Sequence, residues 1–93
     1  MFYSTKYVLL KYILDASEQE RPRNGCITIP KTRQQICEEI GLSVNSINRL
    51  LTGFKQEGLL EIRHGKICLD TANLDAARTA LRVFLSENRN GTK

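Results

Sequence analysis

Apolar residues recur at helical spacing in four stretches of this chain, and short β-prone runs lie between them. Val8, Leu9, Tyr12, Ile13 and Ala16 share one face of a helix over residues 3–17. Ser4 or Thr5 supplies its cap. Residues 18–25 are charged, carry Pro22 and end in Asn24-Gly25, so they form a loop. The run 26–29 is a strand that Pro30 stops. Thr32 opens a second helix, and Gln35 can return a bond to it in a capping box. That helix buries Ile36, Cys37 and Ile40, and Gly41 takes the positive φ that ends it. Ser43 caps a third helix running to residue 57, with Ile47, Leu50, Leu51 and Phe54 as its buried stripe. Gly58 closes it.

The runs 59–63 and 66–69 flank His64-Gly65 and form a hairpin whose turn type stays open. The 26–29 strand is the natural third partner in a small antiparallel sheet. Asp70 or Thr71 opens a last helix through residue 86, burying Leu74, Ala77, Leu81 and either Phe84 or Leu85. Residues 87–93 form a polar, frayed tail. A helix-turn-helix followed at once by a β-hairpin is a winged helix. The expected fold is therefore α+β and mainly helical, with a three-helix core, a small antiparallel sheet and a C-terminal helix. No repeat or low-complexity segment interrupts it, so a single domain over 1–93 is expected.

Composition narrows the class. A chain of 93 residues, 41% hydrophobic and 26% charged, suits one soluble domain with a modest core. No apolar run is long enough to span a bilayer. Lys6 and Lys11 break the N-terminal apolar stretch and no small-residue cleavage site follows, which argues against a secretory signal. A cytoplasmic setting without membrane association is expected. Cys26, Cys37 and Cys68 have no CxxC pairing, and the single histidine, His64, supplies no second cluster for zinc. They are expected as small buried apolar residues, with no metal and no cofactor. The net charge of +4 is compatible with a polyanionic partner, although many proteins without one are equally basic.

The third helix carries the chemistry. With its apolar stripe turned inward, Asn45, Ser46, Asn48, Arg49, Thr52 and Gln56 face outward, and positions 45, 49, 52 and 56 line up on one side. Nothing acidic interrupts that stripe before Glu57. Arginine can grip guanine through two hydrogen bonds, and asparagine or glutamine can grip adenine. Any surface helix shows a polar face. What favours base reading is the capped helix and glycine turn before it and the hairpin after it. Phosphate contacts are expected from Lys31, Thr32, Arg33 and Gln34, where free N–H groups and the helix dipole favour an anion. Ser43, Ser46, Thr52 and Lys55 add to them along the motif, and His64 and Lys66 at the basic wing tip. Such contacts fix register without reading sequence.

In TRQQICEEIGLSVNSINRLLTGFKQEGLL and RHGKICL, the chain resembles the DNA-binding domain of the Crp/Fnr family. The opening helix and the 26–29 strand also fit that pattern. The resemblance implies a bacterial transcription factor binding a palindromic site, with a recognition helix at about 44–57 in the major groove and a wing at about 60–69 near the backbone. It maps base contacts to Val44, Asn45, Asn48 and Arg49, with Arg49 pairing with guanine. The family commonly has glutamate where Asn45 stands, so the preferred base there is expected to shift toward adenine. The β-roll effector domain and long dimerisation helix of family members do not fit in 93 residues. A homodimer is implied for a longer protein, and weak or absent dimerisation for this stretch alone. The loop 18–25, with Arg21 and Arg23, lies where relatives can touch RNA polymerase.

Two other classes compete. A protein-interaction winged helix without DNA readout is the alternative, and the amides and Arg49 weigh against it. An enzyme finds little support: one histidine, no glycine-rich phosphate loop, and a Glu38-Glu39 pair whose side chains point about 100° apart on a helix.

Overall fold

α1 (Thr5–Ser17) begins where the Ser4 hydroxyl accepts the Tyr7 amide proton at 3.2 Å, in a computed structural model that describes residues 4–90. The expected helix start at Tyr3 lies outside the described residues. The elements that follow are β1 (Cys26–Thr28), α2 (Arg33–Ile40), α3 (Val44–Gln56), β2 (Glu61–Arg63), β3 (Lys66–Asp70) and α4 (Thr71–Asn90). This is the winged helix-turn-helix: among the described residues, four helices and one three-stranded antiparallel sheet.

The buried face of α1 is displaced from the expected one. Leu9, Leu10, Ile13, Leu14 and Ser17 are buried, whereas Val8, Tyr12 and Ala16 lie half-buried at its edge. The run Tyr7 to Leu10 is apolar on consecutive positions, so periodicity alone does not fix which side turns inward. Packing against α4, α2 and α3 decides it. The Ser17 hydroxyl meets its need locally, donating to the Leu14 carbonyl at 2.6 Å.

The sheet runs β1-β3-β2, with Ile27 opposite Leu69 and Ile62 opposite Ile67. Because side chains alternate along a strand, Ile27, Ile67 and Leu69 point to the core while Cys26, Thr28, Lys66 and Cys68 share the other face. Arg63 pairs with Lys66 across His64 (φ 52°) and Gly65 (φ 76°), and two positive φ values in a two-residue loop make a type I′ turn. Cys26 and Cys68 are buried, Cys37 is half-buried, and all three are free thiols. Burial pushes the Cys26 thiol above its ordinary pKa, which disfavours the reactive thiolate.

α4 continues to Asn90, four residues beyond the expected end at Ser86, and the expected frayed tail is helical up to that point. Residues 91–93 of that tail lie outside the described residues. Ala77 and Phe84 are buried as expected, but Leu74 and Leu81 are only half-buried. The position next to Leu74, Asn73, is buried instead, because it has polar partners inside the fold. Phe84 stacks on Phe54 at 6.0 Å between ring centroids and an interplanar angle of 22°, which locks α4 to the inner face of α3.

Candidate nucleic-acid interface

The two helices of the motif are set by their termini. At α2, the Thr32 hydroxyl accepts the Gln35 amide at 3.0 Å, and the Gln35 side chain accepts the Thr32 amide at 2.8 Å. That reciprocal box leaves the first-turn N–H groups of Arg33 and Gln34 for an outside acceptor. Gly41, at φ 76°, ends α2, and its N–H returns to the Cys37 carbonyl at 2.9 Å. The Ser43 hydroxyl then accepts the Ser46 amide at 3.1 Å and starts α3.

α3 is clamped on one side and open on the other. Ile47, Leu51 and Phe54 are buried, and Leu50 is half-buried at the margin rather than within the core as expected. Asn45, Asn48, Arg49, Thr52 and Gln56 are exposed, with Val44 and Ser46 half-buried beside them. Among the described residues, the side chains of Asn45, Asn48 and Arg49 have no hydrogen-bond or ion-pair partner. A row of unspent donors and acceptors on a fixed helix suits an external polar surface.

The phosphate candidates divide into groups. Lys31, Thr32, Arg33, His64 and Lys66 line one cleft of about 390 Å³ between the start of α2 and the wing, floored by Ile29 and Pro30. Gln34, Ser43, Ser46, Thr52 and Lys55 lie outside that cleft. Several are already engaged. Lys31 lies 3.4 Å from Glu39, whose carboxylate also accepts the Tyr12 hydroxyl at 3.0 Å. Arg33 donates to the Gly65 carbonyl at 3.3 Å, and burial pushes its pKa down. The Gln34 side chain donates to Glu38 at 3.3 Å, and the Thr52 hydroxyl to the Asn48 carbonyl at 2.9 Å. Ser43 donates to the Ser46 hydroxyl at 3.0 Å. Lys55 and Lys66 are exposed and carry no ion pair among the described residues.

Sequence reasoning missed three polar restraints. Arg63, in the basic wing tip, is neutralised by Glu61 at 2.9 Å. Glu61 and Arg63 alternate on one strand, so the i, i+2 spacing was a readable signal. Glu39 on α2 holds Lys31 from the loop just before that helix, and Asn73 reaches Gly58 across 15 residues; neither left a local pattern. The loop 18–25 ends in a tight turn, with Arg23 and Cys26 exchanging backbone bonds of 2.8 and 3.0 Å around Asn24-Gly25. Among the described residues, no helix is long and apolar enough to cross a membrane, and no group of three or more His, Cys, Asp or Glu is placed to hold a metal ion.

Residues 8–77 match the family described as the Crp-like helix-turn-helix domain. No curated protein matches the chain. Among solved structures, the chain is similar to oxidized CprK in complex with o-chlorophenolacetic acid, with a TM-score of 0.64 and 22% identity. That match covers 82% of this chain and 33% of CprK, and it shows a shared fold.

Proposed function

Because the chain belongs to the Crp-like helix-turn-helix family, a DNA-binding family of transcription regulation, we propose that it reads one half of a two-fold-symmetric duplex site. In this reading α3 lies in the major groove and the β2–β3 wing rests beside the backbone. Arg49 grips guanine, Asn45 and Asn48 read neighbouring base edges, and Val44 offers an apolar contact. Lys31, Thr32, Arg33, Gln34, Ser43, Ser46, Thr52, Lys55, His64 and Lys66 serve the phosphates, with Lys66 and Lys55 the strongest because their charges have no ion pair among the described residues.

The observation that supports this best is the contrast between the two faces of α3. Its inner stripe is locked into the core while Asn45, Asn48 and Arg49 stand exposed without partners among the described residues. A protein-docking helix would instead present apolar surface, and no such surface occurs there. Phosphate neutralisation gives the test: binding to a duplex should weaken with salt, log K falling against log salt by about 0.9 for each phosphate contact. Binding without salt dependence, or capture of a stoichiometric protein with no affinity for DNA, contradicts it.

The wider assembly is part of the same proposal. The chain acts as the single DNA-binding domain of a cytoplasmic regulator that pairs as a homodimer on a palindrome, and this stretch alone pairs weakly. Arg21 and Arg23 in the exposed loop face RNA polymerase; changing both should lower activation and leave DNA binding intact. CprK, of which this chain matches 33%, has ample length outside the match for a further domain.

A further inference from the structure

Two hydrogen bonds tie the wing to the body of the domain near its turn: the Ile29 N–H donates to the Ile67 carbonyl at 2.8 Å, one residue beyond the turn, and one side chain reaches the turn itself. Among the described residues, the Arg33 guanidinium donating to the Gly65 carbonyl at 3.3 Å is the hydrogen bond that reaches the turn from outside the hairpin. It spans 32 residues of sequence. The turn itself is stiff, since Arg63–Lys66 closes a type I′ loop with both φ values positive. Ile67 is buried and bonded to Ile29, so the freedom that remains is a swing of the tip at residues 63–66, and the Arg33 bond opposes that swing.

Geometry gives this bond a consequence for binding. The cleft between α2 and the wing has two banks: the start of α2 with the unspent N–H of Arg33 on one side, and Lys66, without an ion pair among the described residues, on the other. One DNA backbone can meet both banks only if their separation is fixed. Arginine suits this place better than lysine. Its planar fork holds the carbonyl with one N–H and keeps others for the cleft, whereas an ammonium is a compact point charge. Arg33 is half-buried and lines the cleft.

We propose that Arg33 is a positioning residue for DNA binding: its bond to the Gly65 carbonyl holds the wing at a set distance from the α2 N-terminus, so that Lys66 engages the same backbone as the first turn of α2. This rests on the DNA-binding reading and assigns Arg33 a role beyond its charge.

Arg33→Lys separates the two roles, because it keeps the charge and loses the fork. In the free protein, nitrogen-15 correlation spectra of Arg33→Lys should show displaced Gly65 and Lys66 amides with α3 amides unmoved. On a random-sequence duplex at low salt, Arg33→Lys and Lys66→Met should each weaken binding about fivefold, and the double variant should stay within about twofold of Arg33→Lys alone. Thermal unfolding checks that each variant is folded. Additive costs, or an Arg33→Lys protein that binds like the original with its Gly65 amide unmoved, overturn the proposal while leaving DNA binding intact. A wild-type chain that binds no duplex at any salt overturns the functional reading as well.

Discussion

The Asn73 side-chain amide donates to the Gly58 carbonyl at 2.8 Å, joining the exit of α3 to the start of α4. Asn73 also exchanges bonds with Asp70: its N–H meets the Asp70 carboxylate at 2.8 Å, and its side-chain oxygen accepts the Asp70 amide at 3.0 Å. A buried side-chain amide thus spends its donor on the exit of α3 and its acceptor on the end of β3. Asn73→Ala leaves the Gly58 carbonyl and the Asp70 amide without these partners, and should cost about 1–3 kcal/mol of stability. Urea unfolding measures it. A loss below about 0.5 kcal/mol, the range of ordinary surface changes, contradicts this joint.

Stability and recognition should separate along α3. Phe54 is 1% exposed and stacked on Phe84, so Phe54→Ala should cost about 3–5 kcal/mol, a large share of a small domain's stability. Arg49 is exposed and unpaired among the described residues, so Arg49→Ala should leave unfolding within about 0.5 kcal/mol of the original. Thermal and urea melts of the two variants decide the matter, and a strong loss from Arg49→Ala places that side chain in the packing.

How much of this was legible depends on how local the signal was. The Thr32–Gln35 box, the Gly41 turn and the Ser43 cap are short-range patterns, and each forms as read. The inner stripe of α3 was readable because its polar side is uninterrupted. α1 was not, since Leu10 and Leu14 compete with Val8 and Tyr12 for the core and only the packing partners choose. The length of α4 escaped because residues 87–90 are polar and carry no stop signal before Gly91. Among the candidate contacts, the gathering of Lys31, Arg33 and Lys66 around one cleft is a tertiary fact, as is the loss of free charge on Lys31 to Glu39.

A pH response follows from the α1–α2 contact. Burial, reinforced by the hydrogen bond to Glu39, raises the Tyr12 pKa from 10.0 to about 12. The folded chain therefore keeps this proton where the unfolded chain has released it. Its contribution is complete below pH 10.0 and fades as pH rises toward about 12. Urea midpoints across that window should fall more steeply for the original than for Tyr12→Phe, and parallel slopes contradict the coupling.

Gly41 makes the turn between α2 and α3. A Cβ there meets nothing within 4 Å, so the cost of Gly41→Ala is backbone conformation alone at φ 76°. It should destabilise the domain by about 1–2 kcal/mol. An unchanged melting temperature argues against the left-handed turn.

The outward face of α3 is the heart of the account, and selection from a random-sequence duplex library tests it most directly. The wild-type chain should enrich a half-site with a guanine whose preference disappears in Arg49→Ala, while preferences owed to Asn45 and Asn48 survive at neighbouring positions. Identical enriched sequences from both proteins, or none from the wild type, would contradict base reading by this helix.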